Sequence, residues 1–234
     1  MIRLSHLILV FALLSMVFFL GPALLSQQFG PYPLMRNGDV LDLLTPLVLI
    51  PLYWLLFQIR RDLTPDQREI MAFLILAVLW VMGQGMHLAA NSISHLMEEM
   101  KRSDAYALTH SYDEVLSHYL WHVSIVGLST LLLYRQWRNP FSEKVATMRL
   151  TSAAGAIYGA TFFGVIVEAG TAPLGIPFAV LVGIFGLAAG RRQWKSQPLL
   201  VFFLANSLVS LVLFATWAIY WGGLPQFSEV GLIK

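Results

Sequence analysis

Seven stretches of this chain stay apolar over roughly the 20 residues that a helix needs to cross a bilayer, and no other feature limits the fold so tightly. They lie at about 6–26, 43–59, 70–96, 114–134, 149–168, 174–190 and 198–221. Their apolar residues run continuously instead of alternating, which argues against membrane strands. Only short connectors are left over, so the 234 residues predict one all-α integral membrane domain of seven transmembrane helices. Charged residues make up 12% of the chain, against about 25% in soluble domains. That excludes a disordered chain, a water-soluble domain and a nucleic-acid-binding protein. There is no cysteine, so disulfides, iron–sulfur clusters and thiolate zinc sites are excluded as well.

The formal net charge of +2 conceals a strong asymmetry. Arg3, Arg60, Arg61, Arg68, Arg135, Arg138, Lys144, Arg149, Arg191, Arg192 and Lys195 all fall in connectors at one end of the predicted bundle. Arg36, Lys101, Arg102 and Lys234 fall at the other. The positive-inside rule then puts the N-terminus in the cytoplasm and the C-terminus outside. A bacterial cytoplasmic membrane, with the outer helix ends towards the periplasm, fits this sidedness. Most of the acids, among them Asp113, Glu114 and Glu168, gather at the outer end. The first apolar stretch is long for a signal peptide and is expected to remain as an anchor, although Gly21 and Ala23 stand near a cleavage position. Gly155 with Gly159, and Gly186 with Gly190, are GxxxG pairs suited to close helix packing.

Polar residues recur at helical spacing inside two of the apolar stretches. At about 100° per residue, His87, Asn91 and His95 share one stripe of the third helix, with Gln84, Ser94 and Glu98 on or beside it and Ser92 well off it. Glu114, His118 and His122 share a stripe of the fourth helix, while Asp113 points elsewhere if that helix is regular. Two antiparallel neighbours match levels where residue numbers sum to a constant. This pairs His87 with His122, Asn91 with His118 and His95 with Glu114, three rungs over about 12 Å. Glu168, at the outer end of the fifth helix, falls at the same depth. Ser111 and Glu114 also carry capping-box spacing, which predicts a helix start there. His6 and His110 are expected at the surface.

Ionisable side chains inside membrane helices are costly and face the bundle interior or a wet cavity. Four histidines with carboxylates form a ligand set for a divalent transition metal. His87, His95, His118 and His122 are the expected ligands, and Glu114, Glu168 and Asp113 the expected bases or further ligands. Gln84, Asn91, Ser92 and Ser94 are candidates to orient them. Zinc is the leading metal, with copper or iron as alternatives; Met82, Met86, Met97 and Met100 lie near enough in sequence to assist copper. A metal-dependent hydrolase acting on a lipid-like or small apolar substrate is the leading expectation.

The inventory of serine, aspartate and three histidines in a seven-helix layout resembles the alkaline ceramidase/CREST superfamily of membrane metal hydrolases. His118-Tyr-Leu-Trp-His122 is similar to that family's HxxxH pair, and Ser92, His95 and Asp113 are similar to its Ser, His and Asp elements. The resemblance implies zinc-dependent hydrolysis of a lipid. The family carries HxxxH on its last helix and this chain on its fourth, and the Ser-to-His spacing is three here where the family has four. Metal-ion transport is a second class, since polar ladders also carry ions. Copper or iron oxygenase chemistry and haem electron transfer are a third. Whether the chain forms a homo-oligomer or joins a larger membrane complex stays open at this level.

Overall fold

The computed structural model describes residues 4–32, 34–59, 64–141, 147–189, 194 and 196–233, the side chains of His95 and Glu98 excepted. The helices are α1 (Leu4–Leu20), α2 (Asn37–Phe57), α3 (Gln67–Leu96), α4 (Asp104–His110), α5 (His118–Arg138), α6 (Met148–Glu168), α7 (Ala172–Ala188) and α8 (Pro198–Trp221). A π-helical segment, Ser111–Ser117, joins α4 to α5 and makes them one continuous span. Among the described residues the regular structure is all helical, with no strand beyond one bridge between Gln28 and Arg36.

Five spans are long and apolar enough to cross a membrane: Asn37–Phe57, Gln67–Ser94, Asp104–Arg138, Met148–Glu168 and Pro198–Trp221. The expected seven apolar helices are all present, but α1 and α7 have 17 residues each. At 1.5 Å per residue that is about 26 Å, short of a hydrocarbon core of about 30 Å. Leu47, Val78, Leu181, Ile184 and Val212 are exposed on the outward faces. Such a coat suits lipid and would be a liability in water. The fold is that of a helical integral membrane protein.

Local chemistry sets the helix starts. The Asp66 carboxylate accepts from the Glu69 amide at 2.8 Å, and the Glu69 carboxylate accepts from the Asp66 amide at 3.1 Å. This reciprocal cap opens α3. At α2, the Asp39 carboxylate accepts from the Arg36 amide at 2.8 Å. The helix therefore starts at Asn37 and not near 43, which draws Asp42 into the bundle. The fourth span likewise begins at Asp104, where Ser103 Oγ accepts from the Tyr106 amide at 3.2 Å. Ser111 and Glu114 lie within it, so their capping-box spacing marks no helix start.

Helix α6 packs most extensively on α8. A Cβ at Gly155 would stand 2.2 Å from the Phe202 carbonyl oxygen, and one at Gly159 2.6 Å from that of Asn206. The first GxxxG pair therefore admits the α8 backbone itself. Gly186 faces the Leu204 side chain, and Gly190 lies outside the described residues. Below the middle of the bundle Phe11, Tyr53, Tyr158 and Phe202 pack ring against ring. The Tyr53 hydroxyl pairs with that of Tyr158 at 2.8 Å and with Ser129 Oγ at 3.2 Å. At the α5 C-terminus, Arg135 meets Glu69 at 2.5 Å and donates to the Phe57 carbonyl at 2.9 Å, tying α5 to α3 and α2.

Candidate functional site

A cavity of about 380 Å³ opens at the end of the bundle opposite Arg135. The N-terminal turns of α2 supply Asp39 and Asp42, and α3 supplies His87 and Asn91. The π segment gives Glu114, α5 gives His118 and Trp121, and the end of α6 gives Val165 and Glu168. Phe19, at the end of α1, and Ile233, near the C-terminus, complete an amphipathic lining.

His87 and Asp113 form a close polar contact at this site. Nδ1 of His87 lies 2.8 Å from Oδ1 of Asp113. The approach is an ion-pair distance rather than an aligned hydrogen bond, and both atoms are shut off from solvent. The His87 side chain as a whole is 21% exposed, so it is the other edge of the ring that meets the cavity. Asp113 reaches His87 because the π segment is wider than a regular α-turn. In a regular helix Asp113 points away from the stripe of Glu114; here Asp113 is buried and Glu114 remains half-buried on the cavity wall. The Ser117 hydroxyl donates to the Asp113 carbonyl within this turn.

The rungs differ from the expected ones. The rings of His87 and His118 are 4.9 Å apart, so His87 stands level with His118 rather than with His122. The register follows the backbone. A Cβ on Gly83 would lie 2.8 Å from both the Ser117 carbonyl oxygen and the Trp121 nitrogen, so α5 rests directly on α3 at that glycine. This contact, and not the matching of polar stripes, fixes the levels about one turn from the expectation. His118 Nδ1 faces the Glu114 carbonyl at 3.1 Å, with the Glu114 carboxylate at 3.8 Å. His122 is displaced to a deeper, fully buried position, where Nδ1 pairs with Thr171 Oγ1 at 2.6 Å and Nε2 has no partner.

The other expected site residues are dispersed. Gln84 bridges Trp80 and Asp42: its oxygen accepts from the indole at 3.2 Å and its amide donates to Asp42 at 2.6 Å. Asn91 lines the cavity, and its carbonyl accepts from Ser94 Oγ at 2.9 Å. Ser92 is exposed and donates to the Leu88 carbonyl at 2.9 Å, facing an adjoining pocket of about 180 Å³. The backbone of His95 lies in α3, but its side chain is outside the described structure. Asp113 thus pairs with His87 and is not brought to Ser92. Glu168 reaches the C-terminal segment, where one oxygen accepts from the amides of Phe227 at 2.7 Å and Ser228 at 3.3 Å. His6 and His110 are exposed, and His110 stacks on Tyr106. Among the described residues no group of three or more His, Asp or Glu side chains is gathered as a ready metal cage.

Asp42 is the site residue that the sequence reading missed. Starting the second helix near 43 left it in a connector, where an aspartate is unremarkable. Asp39 followed by Asp42, three residues on, was the available signal: within one helix they fall near the same face. An aspartate inside an apolar helix then demands a partner.

Comparison with protein-family models, with curated proteins and with solved structures found no match.

Proposed function

We propose that the chain is an integral membrane hydrolase acting on a lipid-like or amphipathic substrate. The observation that carries this reading is the His87–Asp113 contact at the wall of the 380 Å³ cavity. A buried carboxylate against Nδ1 favours a proton on that nitrogen and leaves Nε2 to exchange protons. In this reading His87 takes a proton from water as the water attacks a substrate carbonyl, then returns it to the leaving group. The apolar part of the lining, Phe19, Trp121 and Val165, receives the tail of the substrate. The basic-residue asymmetry turns the cavity towards the outer face, so substrate enters from the outer leaflet or the periplasm.

A divalent transition metal, zinc first, is the cofactor proposed with this reading. His118 and Glu114 would hold the ion beside His87, whose Nε2 stays free to exchange protons. Bound there, zinc supplies Lewis-acid polarisation of the carbonyl. Transport fits less well, because the stacked rings of Phe11, Tyr53, Tyr158 and Phe202 close the bundle beneath the cavity.

The test is metal analysis of protein purified in nonionic detergent without chelator, beside His118→Ala and Glu114→Ala variants that elute as the wild type does. Near-stoichiometric zinc lost in both variants is expected. The same metal content in all three proteins overturns the zinc assignment.

A further inference from the structure

The charges around the cavity say what kind of head group it accepts. Asp39, Asp42, Glu114 and Glu168 face it, against the single guanidinium of Arg36 and the imidazoles of His87 and His118. Asp113 lies behind the wall and answers His87. Two of the four carboxylates are taken up by backbone amides: Asp39 accepts from the Arg36 amide and Glu168 from the Phe227 and Ser228 amides. Asp42 differs from both. It is 8% exposed, and its Oδ1 accepts from the Gln84 amide at 2.6 Å. Among the described residues no hydrogen bond reaches its Oδ2, which is not sealed off and belongs to a residue of the cavity wall. A carboxylate oxygen that opens on a cavity and has no protein donor is free to accept one from a ligand. Trp121, on the same wall, offers an aromatic surface that attracts cations.

We propose that the cavity selects amphiphiles with a primary or secondary ammonium head, whose N–H donates to Asp42 Oδ2 while the tail lies along Phe19, Leu25 and Val165. This rests on the reading of the cavity as a substrate site. A charge-assisted N–H to carboxylate bond is about twice as strong as a neutral one, and low-dielectric walls concentrate the field of the remaining acids. A quaternary ammonium has the charge but no N–H, an alcohol has a donor but no charge, and a sulfate has the opposite charge and no donor.

The experiment measures binding of dodecylamine, dodecyltrimethylammonium, dodecanol and dodecyl sulfate to the full chain. Each is presented at the same mole fraction in nonionic micelles, with thermal shift and titration calorimetry as readouts. Dodecylamine is expected to bind at least roughly tenfold tighter than the other three. Asp42→Asn keeps an oxygen for Gln84 and is expected to abolish that preference; Glu114→Gln reduces it and serves as a second, milder variant. Equal binding of dodecylamine and dodecanol, tighter binding of the sulfate, or an unchanged preference in Asp42→Asn overturns the proposal. Hydrolysis of neutral lipid esters without any amine preference overturns it while sparing the hydrolase reading. Amine preference without hydrolysis of any ester or amide upholds it and overturns the hydrolase.

Discussion

His87 and Asp113 meet across two helices, Nδ1 to Oδ1 at 2.8 Å, with the carboxylate buried and the opposite edge of the ring open to a cavity. The contact depends on the π segment, since only its wide turn brings Asp113 round to α3. If His87 is the base of a hydrolase, Asp113→Asn removes the charge that stabilises its protonated form and orients the ring. The variant is expected to lose about 10²- to 10⁴-fold in turnover, the usual contribution of general acid–base catalysis. His87→Ala and the double variant should lose a similar amount, since residues acting as a unit are not additive. Initial rates on one lipid substrate check this, with thermal melting to establish that each variant is folded.

Glu168 is predicted to act on the C-terminal segment. It accepts from the amides of Phe227 and Ser228, and Phe227 packs on Trp217 with ring centroids 4.8 Å apart. Glu168→Ala leaves two amides without their acceptor, at a cost of about 1–3 kcal/mol. Faster proteolysis after residue 222, with an unchanged global melting point, is the expected result.

Glycines of α6 and α3 give a contrast within one family of substitutions. Gly155→Leu and Gly159→Leu drive a side chain into the carbonyls of Phe202 and Asn206. Both are expected to prevent accumulation of folded protein in the membrane. Gly85 has open space where its Cβ would be, so Gly85→Ala should be tolerated and, by helix propensity, stabilise by roughly 0.5–1 kcal/mol. Expression in membranes and thermal melting in detergent distinguish the two groups.

The Tyr53–Tyr158–Ser129 hydroxyl cluster lies away from the cavity and is predicted to serve stability alone. Tyr158→Phe removes one hydroxyl and leaves Tyr53 its bond to Ser129. A loss of about 1 kcal/mol is expected, with wild-type activity. Reversible denaturation in mixed micelles measures the first and substrate turnover the second.

How much of this was legible beforehand depended on whether a residue's place follows from periodicity. The apolar runs of α3, α6 and α8 are long and continuous, and their helices fall close to where the sequence puts them. The gathering of His87, Glu114, His118 and Glu168 at one end followed from helix direction alone. The pairing of levels did not, because Gly83 sets how α5 lies on α3, and a glycine contact leaves no trace in a polar stripe. Asp113 was among the expected bases, but its contact with His87 was hidden by the π segment, an irregularity that helical spacing does not contain. Asp42 was hidden by a helix start that depends on the Asp39 cap. Ser92 was singled out by its likeness to a family serine although it lies off the polar stripe, and its hydroxyl turns back to the Leu88 carbonyl.

The most direct test is hydrolysis of a panel of long-chain esters and amides by the full chain in nonionic micelles, with and without added zinc. The account predicts turnover of at least one amphipathic member and its collapse in both His87→Ala and Asp113→Asn. No turnover of any member by zinc-loaded, folded protein, or turnover that survives in His87→Ala, contradicts it.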